Sequence, residues 1–309
     1  MFGMSLCMST EAQKMVVAYV PNFRDLPGMV DKIDYSKITH IDVAFENPVN
    51  EAGDLSFDAD EAALVEKAHE HNVRVLVSIG GGAISEDKKE TALYFDLQND
   101  AKRAGFISKL TDYVDKHNFD GLDVDLEGPS IGKDYGAFVS DLAKALIPHG
   151  KLLTAAVSQW YGGQSIPDSS LADFSFVNIM AYDNTGPWDP KKPGQHSSFE
   201  DAKKTVDYWL GRGLPKTKAI LGVPFYGYGF GDAYRNGDYS YSEIVKTFPG
   251  AENLDQAGST IWYNGIPTIK AKTKYVVDQG LGGVMIWSLD ADAPGDKSLL
   301  AAIHDGLTP

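Results

Sequence analysis

Short apolar runs alternate with amphipathic segments from one end of the chain to the other. Eight runs rich in Val, Ile and Ala read as strands: 15–19, 40–45, 74–79, 121–127, 152–157, 176–180, 219–223 and 283–286. Such aliphatic runs suit strands whose outer faces are covered by helices. Between them, segments 60–71, 101–117, 135–146, 199–211, 270–279 and 298–305 place apolar residues three or four apart. That is the spacing of a helix with one face against a sheet. Strict alternation of strand and helix implies a parallel sheet with right-handed crossovers. Eight such units in 309 residues predict a single-domain (β/α)8 TIM barrel over 14–309.

An open doubly wound sheet is the competing arrangement. It predicts a Gly-rich phosphate turn after the first strand. The turn here reads Val20-Pro-Asn-Phe-Arg-Asp25, which cannot serve as one. The longest departure from the alternation is 227–282, between the seventh and eighth strands. It holds a Gly/Tyr/Asp-rich stretch, a short helix near 242–247 and a strand-like 261–263. At that length it predicts an elaborated loop at the catalytic end of the barrel and no second domain.

Composition narrows the partners. A net charge of −15 repels phosphate backbones, so nucleic acid and acidic polymers are excluded as expected partners, and a neutral substrate fits. The one cysteine, Cys7, cannot form an internal disulfide, and no Cys/His group has zinc-ligand spacing. No metal or other cofactor is expected. Residues 1–13 are apolar up to Met8, and Thr10-Glu-Ala12 resembles a small-x-small cleavage site. They read as a signal-peptide remnant or a disordered tail. Export (secreted, periplasmic or cell-surface) is expected, with a cytoplasmic location as the alternative. No run reaches the ~18 apolar residues that a transmembrane helix needs. The chain is expected to act as a monomer.

The sharpest chemistry lies at Asp120-Gly-Leu-Asp123-Val-Asp125-Leu-Glu127. Alternate side chains of a strand point to opposite faces. Asp123, Asp125 and Glu127 therefore share one face, and Leu122, Val124 and Leu126 share the other. In a barrel the aliphatics meet the helices and the acids point inward, with Glu127 at the C-terminal mouth where such barrels carry their chemistry. A buried row of like charges cannot be fully ionised, so protons are shared along it. That setting keeps Glu127 protonated near neutral pH, as a general acid requires. A divalent-cation site or a solvated acidic edge is the competing reading of the same row.

The DxxDxDxE pattern resembles that of family 18 glycoside hydrolases, the family of chitinases and some endo-β-N-acetylglucosaminidases. Ser78-Ile-Gly-Gly81 resembles its third-strand motif, and Met180-Ala-Tyr182-Asp183 with Gly186-Pro-Trp188 its sixth-strand motif. Gly222-Val-Pro-Phe-Tyr226-Gly and Gly283-Val-Met-Ile-Trp287-Ser-Leu-Asp resemble the seventh and eighth. The resemblance implies retaining hydrolysis of β-1,4-linked N-acetylglucosamine with no carboxylate nucleophile. Glu127 would protonate the leaving oxygen, and the substrate's 2-acetamido oxygen would attack the anomeric carbon. Asp125 would accept the acetamido N–H, Asp123 would share a proton with Asp125, Tyr182 would hold the acetamido oxygen and Asp183 the distorted sugar. Aromatic rings stack on sugar faces. Tyr19, Phe45, Trp188, Tyr226 and Trp287, with Gly81 and Met180, are the expected substrate-binding positions, and Trp160 and Tyr161 a further platform. Trp209, inside a helix, is expected in the core.

Three positions depart from the family pattern. Gly82 stands where many members carry Trp, Tyr228 where many carry Arg, and Leu126 where many carry an aromatic residue. The 227–282 insertion also looks reduced. These departures imply a shallow groove suited to short oligosaccharides or a glycan core. The first functional reading is a chitinase acting on chitin or N-acetylglucosamine oligosaccharides. The second is an endo-β-N-acetylglucosaminidase cutting N-glycan cores. The third is a non-catalytic chitin-binding lectin, which the retained acids disfavour.

Overall fold

The computed structural model describes residues 13–308. The expected tail, including Cys7, lies outside the described residues. Eight parallel strands close into a barrel: β1 (Met15–Pro21), β2 (His40–Ala44), β3 (Arg74–Gly80), β4 (Gly121–Asp125), β5 (Leu152–Val157), β6 (Phe176–Ile179), β7 (Ala219–Pro224) and, last in the chain, β12 (Gly283–Trp287), which pairs with both β7 and β1. Four short strands, β8 (Tyr226–Gly229), β9 (Tyr239–Ser240), β10 (Gln256–Ala257) and β11 (Ile261–Trp262), lie between β7 and β12.

Side-chain alternation builds two concentric cores. Along β1, Val16, Ala18 and Val20 join the core between barrel and helices, and Val17 and Tyr19 join the barrel interior. On β4, Leu122 and Val124 face the helices, as the alternation predicts. Each fully buried aliphatic side chain contributes about 1.5–3 kcal/mol. The outer helices carry that layer: Phe106, Leu110 and Val114 on Arg103–Lys116, Phe138 and Leu142 on Tyr135–Leu146, and Val206 and Trp209 on Phe199–Gly211. Trp209 is wholly buried, as expected. The helix that holds it starts at Ser198, whose Oγ accepts from the Asp201 N–H at 3.0 Å.

Three features depart from the sequence-based expectation. The ladder of β4 stops at Asp125, so Glu127 stands just beyond the last paired residue. Helices Gly82–Glu86 and Lys88–Gln98 follow β3, where no element is expected. The insertion after β7 carries a four-stranded antiparallel sheet, β10-β11-β8-β9, around the helix Tyr241–Thr247, where one strand-like stretch and a helix are expected. Its far end is tied to the barrel by Lys272, buried in the helix Ile266–Gln279. The Lys272 ammonium donates to the Ser197 carbonyl at 2.8 Å, the Ser197 hydroxyl at 2.7 Å and Asn264 Oδ1 at 2.7 Å. With no carboxylate among those partners, burial pulls the Lys272 ammonium down to about 7. No described helix is long and apolar enough to cross a membrane.

Candidate active site

Strand register sets the environment of each acid on β4. Asp123 is paired laterally with Ser78 on β3 and Thr154 on β5. Both hydroxyls therefore point into its carboxyl: Ser78 Oγ donates to Oδ2 at 2.7 Å and Thr154 Oγ1 to Oδ1 at 2.6 Å. Tyr19, reaching across from β1, adds a third hydroxyl at 2.8 Å. Asp125, one layer up, lies beside Gly80, which offers no side chain. Its Oδ1 is buried without a hydrogen-bond partner among the described residues.

The two aspartates are thus unequal. Burial pushes both carboxyls up, but three hydroxyl donors oppose the rise at Asp123. At Asp125, burial is reinforced by the charges of Glu127, Asp123 and Asp42. The negative charge of the row belongs on Asp123 and the proton on Asp125. Glu127 is half-buried, and burial followed by the charges of Asp183 and Glu86 raises its carboxyl to about 7. Its backbone is pinned: Ser130 Oγ lies 2.9 Å from the Glu127 N–H and 2.7 Å from its carbonyl, and Ser85 Oγ donates to the same carbonyl at 2.7 Å. The side chain is left free to turn while the main chain stays fixed.

Above the acids opens a cavity of about 570 Å³. Of the expected site residues, Phe45, Asp125, Glu127, Met180, Tyr182, Asp183, Tyr226 and Trp287 line it. Trp287 closes its floor, with Phe45 stacked beside it (centroids 5.7 Å apart, planes 22° apart) and Tyr19 tilted beneath at 5.5 Å. Tyr19 and Asp123 lie under the cavity, fully buried. Gly81 supports the wall: a Cβ there would sit 2.6 Å from the Phe45 ring, and both Gly80 and Gly81 hold positive φ, 105° and 89°. The Asp183 carboxylate accepts the Tyr226 hydroxyl at 2.6 Å and lies 3.2 Å from His196 Nδ1. Among the described residues the Tyr182 hydroxyl has one hydrogen-bond partner, the Met285 sulfur at 3.9 Å, a weak acceptor that leaves it free to donate elsewhere.

Trp188, more than half exposed, stands edge-on to Tyr228 in an adjoining cavity of about 470 Å³ that shares Asp183, Tyr226 and Trp287. Trp160 and Tyr161 line neither cavity. The Tyr161 ring covers Gly128, where a Cβ would come within 2.3 Å of it, and so borders the acid from outside. Trp160 is exposed on the same loop. Several contributors have no counterpart among the expected residues. Asp42, inward on β2, accepts from Asn178 Nδ2 at 3.1 Å, and its charge acts on Asp125. Its alternation with Ile41 and Val43 repeats the pattern of β4, so the signal is present in the sequence. Asn22 and Asn47 line the cavity from loops, and Glu86 and His196 act on Glu127 and Asp183, with no periodic signal to mark them.

A closed parallel barrel with a raised carboxyl at its mouth, a buried acid behind it and aromatic walls defines an acid–base site on a (β/α)8 scaffold. The sequence model of Glycosyl hydrolases family 18 matches residues 15–292, and the chain belongs to that family. A solved structure of the GH18 chitinase ChiB from the chitin utilization locus of Flavobacterium johnsoniae superposes with a TM-score of 0.87 at 38% identity, covering 96% of this chain and 94% of that one. A chitinase structure from Bacteroides thetaiotaomicron gives 0.84 at 27% identity, covering 96% and 97%. Among curated relatives, "Probable chitinase 10" of Drosophila melanogaster is 29% identical over 71% of this chain and 12% of its own length. The Brugia malayi endochitinase is 29% identical over 88% and 66%. The chain therefore spans about an eighth of the first and just under two thirds of the second.

Proposed function

We propose that the protein is a retaining glycosidase that hydrolyses β-1,4-linked N-acetylglucosamine chains, as a chitinase, by attack of the substrate's own acetamido group. The observation that carries this reading is a half-buried Glu127 at the barrel mouth, its carboxyl raised to about 7, standing just above a buried Asp125 whose Oδ1 has no partner among the described residues and whose carboxyl is pushed well up by burial and by the neighbouring acids. Glu127 gives its proton to the glycosidic oxygen as that oxygen leaves the anomeric carbon. The acetamido carbonyl oxygen supplies the electron pair for the new bond, and a cyclic oxazolinium ion results. Asp125, turned up toward Glu127 and ionised as its proton passes down to Asp123, accepts the acetamido N–H and offsets the growing positive charge. Tyr182 donates to the acetamido oxygen and holds it in line. Asp183 and Tyr226 bind the sugar, and Trp287 stacks on its face. Ionised Glu127 then takes a proton from water, which opens the ring with retention.

The family match, the chitinases among its relatives and the two chitinase structures support chitin-type substrates over other N-acetylglucosamine glycans. Two measurements test the reading. Chitotetraose should be cleaved with retained configuration, and its fully deacetylated counterpart, which lacks the internal nucleophile, should be inert. Glu127→Gln should lose about 10²–10⁴ in rate and still bind chitotetraose. Equal cleavage of the deacetylated chain, or undiminished turnover by the variant, refutes the mechanism.

A further inference from the structure

Behind the Phe45 wall lies a second carboxyl pair, unconnected with the row on β4. Glu46 follows Phe45 in the chain, Glu61 opens the helix Glu61–Glu70, and both are buried. One side chain joins them. Asn22 Nδ2 lies 3.0 Å from Glu46 Oε1 and 2.8 Å from Glu61 Oε1. The same nitrogen reaches the Phe45 carbonyl at 3.0 Å, and Asn22 Oδ1 accepts the Phe45 N–H at 3.0 Å. A single amide, its two N–H hydrogens shared among three acceptors, thus ties both main-chain groups of Phe45 to the two acids. The Asp58 N–H adds a bond to Glu46 Oε1 at 3.1 Å. The second oxygens, Glu46 Oε2 and Glu61 Oε2, are buried and unpartnered among the described residues.

Among the described residues no arginine or lysine bonds to either acid. The titratable groups that face the pair are Asp58 from the loop before the helix, Tyr113 from the helix Arg103–Lys116 and His117 just past its end. Asp58 is an acid, Tyr113 is held neutral by burial, and burial lowers His117. Two carboxylates that meet at one amide without a cation cannot both be ionised, so the pair keeps a proton.

We propose that Glu46 and Glu61, acting through Asn22, are positioning residues that hold Phe45 against Trp287, so that the apolar wall of the sugar site stands on a buried acid pair. The role assigned to that wall rests on the glycosidase reading; the grip on Phe45 does not. Burial and then Glu46 push the Glu61 carboxyl up to about 9. Above that range both acids are charged and repel, the amide loses one holder, and the ring is released.

Wild-type protein and Glu61→Gln, both labelled with fluorophenylalanine, give the test by ¹⁹F NMR. The Phe45 signal is assigned with Phe45→Leu and followed from about pH 7 to about pH 10. The wild-type signal is expected to move with a midpoint near 9, and the Gln signal to stay still, because a neutral amide preserves the grip without a titrating proton. The KM for chitotetraose should agree within about twofold at neutral pH and be roughly fivefold lower for Glu61→Gln at about pH 10. Glu46→Gln, which removes the titration from the other side, serves if Glu61→Gln fails to fold. A wild-type Phe45 signal that stays put, or one that moves alike in wild type and Gln variant, overturns the proposal. A signal that titrates as expected in a protein that neither binds nor cleaves chitotetraose upholds the grip and sinks the glycosidase reading instead.

Discussion

At the scale of single residues, the site runs on unequal surroundings given to similar groups. Four carboxyls, Asp42, Asp123, Asp125 and Glu127, crowd one end of the barrel, and what separates them is the supply of hydroxyl donors. Asp123 has three, and Glu127 has none in the hydrogen bonds of its carboxyl. On the proposed mechanism Glu127 acts in its protonated form, so kcat/KM on chitotetraose should fall tenfold per pH unit above about 7, measured over the neutral to alkaline range. Replacing its charged neighbour, Glu86→Gln, removes one of the causes of the rise and should move that limb to lower pH. Among the described residues the Tyr182 hydroxyl bonds only to a sulfur, so it is available to a ligand. Tyr182→Phe should lower kcat by about 10²–10³ with KM little changed, as for one lost donor to a developing charge. An unaltered kcat would mean that the hydroxyl touches nothing that reacts.

At the scale of elements, the strands were legible because each carries an aliphatic face toward the helices, and the row on β4 was legible because its polar and apolar residues alternate without a break. The helix Lys88–Gln98 was not, for a physical reason: its buried positions are Thr91, Tyr94, Leu97 and Gln98, so polar side chains occupy half of the inward stripe. Of the small sheet in the insertion only the stretch at 261–263 was legible; strands as short as Tyr239–Ser240 and Gln256–Ala257 have no period to read. Asn22, Asn47 and Glu46 sit on loops one to three residues beyond strand ends, and only the closed barrel brings them together. The outer helices are bound by large anchors. Trp209→Ala should cost about 3–5 kcal/mol of stability by chemical denaturation, through lost burial and the cavity left in the helix layer. Gly82, at the start of a short helix, has only Glu127 Oε1 near its would-be Cβ, at 3.7 Å, so the missing tryptophan is absent from open space and not from a crowded one.

At the scale of the whole molecule, the raised carboxyls turn stability into a function of pH with a definite sign. Between an unfolded value near 4.5 and folded values of about 7 for Glu127 and about 9 for Glu61, the folded chain holds protons that the unfolded chain has lost. Unfolding therefore becomes easier as pH rises through that window. Lys272 has the opposite sign. Its folded value is lowered to about 7, so above 7 the unfolded chain binds the extra proton and stability is regained. The melting temperature should be highest near pH 5, drop by on the order of 5 °C toward pH 7, and decline less steeply beyond it, where Lys272 offsets part of the loss from the buried acids, as followed by calorimetry. In Lys272→Met that easing should disappear, with the decline continuing at its earlier slope toward pH 9.

The acid row has one more effect, on what the mouth attracts. Among the described residues no lysine or arginine lines the cavity above Asp125 and Glu127, and the arginine of the neighbouring one, Arg24, is already paired with Asp290. The pocket is thus an uncompensated well of negative potential with greasy sides, deepest once Glu127 has lost its proton. A sugar mimic carrying a basic ring nitrogen would be drawn into such a well more strongly than the uncharged glycan it imitates, and its grip would tighten with rising pH until its own ammonium discharged.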